Sequence, residues 1–155
     1  MNPPKAKDEI RFLSSSGGKY AAFSNFYPSP FTMDGYEWPT VEHYFQAAKF
    51  VNHPSYYERI HDAATPLKAK DLGQNRRLTI VADWDRNRCT VMARALNAKF
   101  EDPTLRELLL STGNAKLIEA NTHDEYWGIG SGKGANHLGR LLMKLRDQLQ
   151  TNNKN

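Results

Sequence analysis

Glu42, His43 and Lys49, three side chains with different protonation chemistries, share one short stretch. Glu42, Gln46 and Lys49 stand at i, i+4 and i+7, with His43 beside the first. On a helix this spacing lines an acid, an amide and an amine along one stripe. A carboxylate can move protons, and a lysine held neutral can attack an electrophilic carbon. The bland reading of the same stripe is a solvated face whose charges support the helix. The surrounding Tyr36, Trp38, Tyr44, Phe45 and Phe50 are unusually aromatic for such a face and favour one wall of a cleft.

Other candidates are spread along the chain. Ser24-Asn25 can offer polar contacts to a sugar or base. Arg76 and Arg77 are either surface charge or a phosphate clamp, a task that suits the planar guanidinium fork. His123-Asp124-Glu125-Tyr126-Trp127 sets carboxylates beside aromatics, which makes Asp124 a candidate acid/base partner for Glu42, one on each side of a bond to be broken. Paired carboxyl groups are the usual equipment for splitting a glycosidic bond.

Gly128-Ile-Gly130-Ser-Gly132-Lys133-Gly134 invites a phosphate-binding reading, but it is no Walker loop. Trp127 stands where the first glycine belongs, and Gly134 follows Lys133 in place of Ser or Thr. It is no dinucleotide fingerprint either, since no buried strand precedes it. It is either a glycine-rich surface turn or a loop presenting backbone N–H groups and a helix dipole to an anion, with Gly128, Lys133, Gly134 and Asn136 as the contacts. His43, His53, His61, His123 and His137 show no metal-ligand spacing and Cys89 is the single cysteine, so neither metal nor cofactor is expected.

The elements that must position these groups follow from local signals. Asp34-Gly35 between Phe31–Met33 and Tyr36–Trp38 predicts a type I′ hairpin. Pro39 stops the second strand, and Thr40 caps a helix that buries Val41, Tyr44, Phe45 and Ala48. Helices are further expected over 54–63, from the Thr65 cap and Pro66 to Gly73, from the Asp83 cap to about Glu101, from Asp102-Pro103 through Leu110, and over 136–150. The long fourth helix turns Val91, Met92, Ala95 and Leu96 inward. The last buries Leu138, Leu141, Leu142, Leu145 and Leu149. Strands are expected at 9–13 and 115–119. Trp84 is a hydrophobic anchor or a stacking platform, and the aromatic segment 20–30 packs under the sheet or lines a pocket. The sum is a helix-rich α+β domain over residues 9–150 with a small sheet of short strands, a mobile tail at 1–8 and a frayed end at 151–155.

With 155 residues, 39% hydrophobic and 25% charged, the chain is long enough to bury a core without disulfides. A net charge of +4 suits phosphate-bearing ligands or nucleic acid without choosing between them. No apolar run approaches the ~18 residues of a membrane span, so no membrane partner is expected and the cytoplasm is the expected location.

The run Trp38-Pro-Thr-Val-Glu42-His43-Tyr44-Phe45-Gln46-Ala-Ala-Lys49-Phe50 resembles the signature of the NADAR family, the YbiA-like N-glycosidases. Phe23-Ser-Asn25-Phe26, Gly73-Gln-Asn75-Arg76, Asp124-Glu-Tyr126-Trp127-Gly128 and Gly132-Lys133-Gly134-Ala-Asn136-His-Leu-Gly139 agree in order and spacing. The resemblance implies cleavage of a ribose C1–N bond to an exocyclic amine. The substrates it implies are ADP-ribosyl-guanine, with nucleic acid as the carrier, or a phosphorylated ribosylamino-pyrimidine of riboflavin biosynthesis. It favours Arg76 over Arg77 as the clamp. Glu42, Lys49 and Asp124 are then the catalytic candidates, with Asn25, Trp38, His43, Gln46, Arg76 and Trp127 as substrate contacts and Trp38 or Trp127 stacking on the base. A lysine Schiff base and an oxocarbenium-like route between two carboxylates both remain open. So does a sensor that binds ADP-ribose or a nucleotide without turnover.

Overall fold

The computed structural model describes residues 8–153. They form an α+β fold with six α-helices and four short strands. The strands make two separate pairs in place of one small sheet. β1 (Glu9–Phe12) runs parallel to β4 (Lys116–Glu119), and β2 (Phe31–Met33) antiparallel to β3 (Tyr36–Trp38). The chain divides into two compact units, one built from both chain ends (up to Ser24 and from Phe100) and the other from Asn25–Lys99.

In the Asn25–Lys99 unit, Asp34 and Gly35 take φ of 52° and 82°, the left-handed pair that a type I′ turn requires. The Thr40 hydroxyl accepts from the His43 N–H at 3.1 Å and starts α1 (Val41–Ala48). α2 (Pro54–His61) and α3 (Pro66–Gly73) follow, the latter capped by Thr65 with proline at its first position. α4 (Trp84–Lys99) closes the unit. β3, α2, α3 and α4 all pack on α1, so Val41 through Ala47 are buried and Ala48 is only partly so. Burial alone therefore does not set a core face of α1 apart from the stripe that carries Glu42 and Gln46. On α4, Met92, Ala95 and Leu96 are buried, whereas Val91 and Cys89 are half-buried.

In the other unit, Ile10 and Phe12 of β1 and Leu117 and Ile118 of β4 enter the core. Phe23, in a 3-10 turn at Lys19–Phe23, is fully buried against Phe12 and Phe100. Asp102 caps α5 (Pro103–Ser111), its carboxylate accepting from the N–H groups of Thr104 and Leu105. α6 (His137–Asn153) lays Leu138, Gly139, Leu142 and Leu145 inward. Leu141 and Leu149 are half-buried, and Arg146 is buried in their stead, donating to Thr112 Oγ1 and the Ala115 carbonyl. Thr151–Asn153 are the last three residues of this helix. Asp8 is tied down by its carbonyl, which accepts from the Lys116 N–H at 3.0 Å. The rest of the expected tail, residues 1–7, and the last two residues lie outside the described residues. Among the described residues no helix is long and apolar enough to cross a membrane.

Candidate active site

Glu42, Gln46 and Lys49 are joined head to tail. Gln46 Nε2 donates to Glu42 Oε1 at 2.7 Å, and Lys49 Nζ donates to Gln46 Oε1 at 2.7 Å. All three are buried, at 7%, 5% and 7% exposure. Lys49 Nζ also reaches the Gly73 carbonyl at 3.4 Å, where α3 ends against α1. The amine lies 5.8 Å from the ring centres of both Phe45 and Trp84, whose rings are 5.0 Å apart, so it sits against an aromatic wall.

This setting brings the Lys49 amine down to about 8. Burial is the main cause, since it penalises the charged form. Arg76 adds to the lowering, as do Arg88 and Lys70, while Glu42 pulls the other way. Three cations and one acid around a desolvated amine make a site that both yields a neutral lysine near pH 8 and attracts an anion.

Asn25 holds the first turn of α1, its carbonyl accepting from the Glu42 N–H at 3.1 Å. Its Nδ2 points to Met92 Sδ at 3.5 Å, and its buried Oδ1 meets no donor among the described residues. A buried acceptor without a donor costs roughly 1–3 kcal/mol, which a ligand hydroxyl can relieve. Arg76 is tethered through Nη1 to the Gly73 and Asn75 carbonyls, at 2.8 and 3.2 Å.

Two expected substrate contacts are occupied elsewhere. His43 is 1% exposed, with Nδ1 on Thr40 Oγ1 at 2.8 Å and Nε2 on the Ala63 carbonyl at 2.9 Å. Both ring nitrogens serve the fold, tying the start of α1 to the segment after α2. Trp38 is fully buried, donates from Nε1 to the Met33 carbonyl and packs edge-on against Tyr44, Tyr57 and His61. No face of it is left to stack on a base.

The glycine-rich block of the other unit also differs from expectation. Several of its backbone donors are spent internally. Gly130 N–H bonds the Asn121 and Asp124 carbonyls, Gly132 and Gly134 bond Ile129, Asn136 bonds Gly128, and His137 and Leu138 at the start of α6 bond Tyr126 and Trp127. The helix start thus meets carbonyls where an anion was expected. The glycines allow backbones to touch. A Cβ on Gly134 would lie 2.5 Å from the Gly128 carbonyl oxygen, and one on Gly139 2.1 Å from that of Leu117. Asn136 clamps β4, accepting from the Glu119 N–H and donating to the Leu117 carbonyl. Asp124 Oδ1 accepts from the N–H groups of Tyr126 and Trp127, a local turn contact. Lys133 is exposed, and Trp127 is half-buried edge-on to Tyr126.

The NADAR domain model matches residues 11–150. The chain belongs to the NADAR family. It is 46% identical over 145 residues to N-glycosidase YbiA of Escherichia coli (strain K12), covering 92% of this chain and 90% of that one. It is 40% identical over 146 residues to the chloroplastic riboflavin biosynthesis protein PYRR of Zea mays, covering 84% of this chain and 23% of that one. The NMR structure of E. coli YbiA superposes with a TM-score of 0.85 at 45% identity, over 95% of this chain and 88% of that one.

Within this NADAR domain, sequence reasoning overlooked the Gly73 carbonyl and the cations Lys70 and Arg88 as parts of the lysine's surroundings. Trp84 and Arg88 are four residues apart on α4, a spacing that puts both on one helical face and was a usable signal. No local signal announces a carbonyl acceptor brought in by tertiary packing.

Proposed function

We propose that this N-glycosidase hydrolyses the bond between ribose C1 and the exocyclic amine of a heterocycle, with Lys49 as nucleophile. The observation that carries this reading is the buried amine itself, set on the Phe45–Trp84 wall and linked to Glu42 through Gln46. A glycosylamine opens its ring when the ring oxygen takes a proton, leaving an imine between C1 and the base nitrogen. Glu42 handles that proton. Neutral Lys49 Nζ adds to C1, the base nitrogen takes up a proton and leaves as the free amine, and Nζ is left doubly bonded to C1. Water adds to C1, and collapse releases the sugar aldehyde and the lysine amine.

Asn25 Oδ1 accepts from a ribose hydroxyl, and Arg76 holds a phosphate with the part of its fork turned from Gly73. The substrate is a phosphorylated riboside, either a ribosylamino-pyrimidine phosphate or ADP-ribosyl-guanine carried on nucleic acid. The name of the Zea mays relative supports the first.

Borohydride added during turnover tests the reading. The expected result is a sugar adduct on the peptide containing Lys49 and loss of turnover in Lys49→Ala. An active enzyme that traps no adduct, with Lys49→Ala near normal, would assign the reaction to an oxocarbenium-like route. Parallel assays on ribosylaminouracil phosphate and on ADP-ribosyl-guanine DNA choose the substrate.

A further inference from the structure

Gln46 stands between two groups that attract each other. Its orientation is chemically forced, because a carboxylate only accepts and an ammonium only donates, so Nε2 must face Glu42 and Oε1 must face Lys49. It is also pressed into place. A Cβ on Gly73 would lie 1.9 Å from Gln46 Oε1 and 2.7 Å from its Cδ, so the end of α3 rests directly on the amide.

We propose that Gln46 is a positioning residue rather than a substrate contact: its amide is a spacer that keeps the Glu42 carboxylate off the Lys49 amine, and Gly73 holds the spacer flat. The inference rests on the reading of Lys49 as nucleophile for its functional meaning, though not for its test. Glu42 in the first turn of α1 and Lys49 at its C-terminal cap are seven residues apart, two turns along one face, within reach of a flexible lysine stem. A direct contact would favour the charged amine and silence it. The charged groups around the amine are Glu42 on α1, Lys70 on α3, Arg76 just beyond α3 and Arg88 on α4. Of these only the carboxylate favours protonation. With the amide interposed, burial and the three cations prevail, in line with an amine brought down to about 8.

Two single substitutions should remove the spacer by different routes. Gln46→Met keeps the volume and deletes both hydrogen bonds, and Gly73→Ala pushes the amide aside with a methyl group. The reading is an NMR titration of the Lys49 side chain in the free enzyme carrying 13C-lysine, assigned with Lys49→Arg. The wild-type amine is expected to titrate at about 8. Both variants are expected to move it up by about one unit or more, the size of shift an adjacent opposite charge produces. With ribosylaminouracil phosphate, kcat near neutral pH then falls about tenfold and recovers in more alkaline buffer, with KM little changed.

A Lys49 titration that stays or falls in both variants overturns the spacer, because loss of a mere acceptor lowers an ammonium's pKa. A raised KM with an unchanged pH profile also overturns it and makes Gln46 a substrate contact. Should Gln46→Met not fold, Gln46→Glu and Gly73→Ala carry the test, the former raising the amine still further if Lys49 senses a nearby carboxylate. The titration needs no substrate. If borohydride traps nothing on the wild type while the variants still shift Lys49, the nucleophile reading fails and the spacer stands.

Discussion

Arg76 and Lys49 donate to the same oxygen. The Gly73 carbonyl lies 2.8 Å from Arg76 Nη1 and 3.4 Å from Lys49 Nζ, so two cations share one acceptor at the C-terminal end of α3. Such an end carries partial negative charge, which helps it hold them both.

Replacing Arg76 therefore has two consequences. Arg76→Ala should raise KM for a phosphorylated riboside about tenfold or more, and its KM should respond less to added NaCl than the wild type's. It should also move the Lys49 titration upward, because a neighbouring cation is gone. Arg76→Lys keeps the charge without the fork and should recover the titration better than the KM. Initial rates across a salt series, beside the NMR titration, check both.

The pH dependence of turnover follows from Lys49. A nucleophilic amine must be neutral, so kcat/KM should climb as pH rises through about 8. An unperturbed lysine near 10.4 would place that limb about two units higher. A pH–rate profile that is flat from 7 to 9.5 would remove Lys49 from the chemistry.

Lys99 gives stability a pH dependence of its own. It is 2% exposed, and burial brings its amine down to about 7. Between that value and the ordinary lysine range the unfolded chain binds a proton that the folded one does not, so stability rises with pH across this window. Lys49 acts with the same sign from about 8 upward. Thermal melts should show Tm increasing from pH 6.5 to 9 by about 5 °C or more. Lys99→Met should flatten the lower part of that rise.

Asn136 serves the fold. It sits at φ 54°, in the left-handed region that asparagine tolerates, with both ends of its amide bonded to β4 residues. Asn136→Ala should lose about 2–4 kcal/mol in a denaturant melt, from two broken hydrogen bonds and a strained backbone. Asn136→Gly relieves the strain alone and should fall between. Full stability in Asn136→Ala, with activity gone, would return the residue to the substrate.

What could be read along the chain was mostly its punctuation. Asp34-Gly35, Thr40, Thr65-Pro66 and Asp102-Pro103 announce a turn and three helix starts because each acts on its own neighbours. The pairing of β1 with β4 has no such marker, since it joins segments distant in the chain. The Glu42–Gln46–Lys49 stripe was legible as spacing, but not the burial of Val41 through Ala47 on every side of α1, which depends on four partners arriving from elsewhere. Glycines 128, 134 and 139 show the limit most plainly. A glycine that admits a phosphate and one that admits a neighbouring carbonyl look alike as letters, and here the carbonyls of Glu119, Gly128 and Leu117 are the close neighbours. Trp38 and His43 likewise have the right chemistry for a ligand, yet their polar atoms are engaged by the fold.

The split of one unit between the two chain ends bears on how the protein is made. Glu9 of β1 lies opposite Lys116 of β4, so the first strand leaves the ribosome long before its partner is translated. Asn25–Lys99 is contiguous and has all its own helices and its hairpin in hand by then. Folding of the unit split between the chain ends must wait until β4 and α6 are translated and must close over the intervening Asn25–Lys99 segment, a slow, non-local step. A stalled nascent chain ending before β4 would present β1 as an unpaired edge, the form in which this protein is most exposed to aggregation and to chaperone capture.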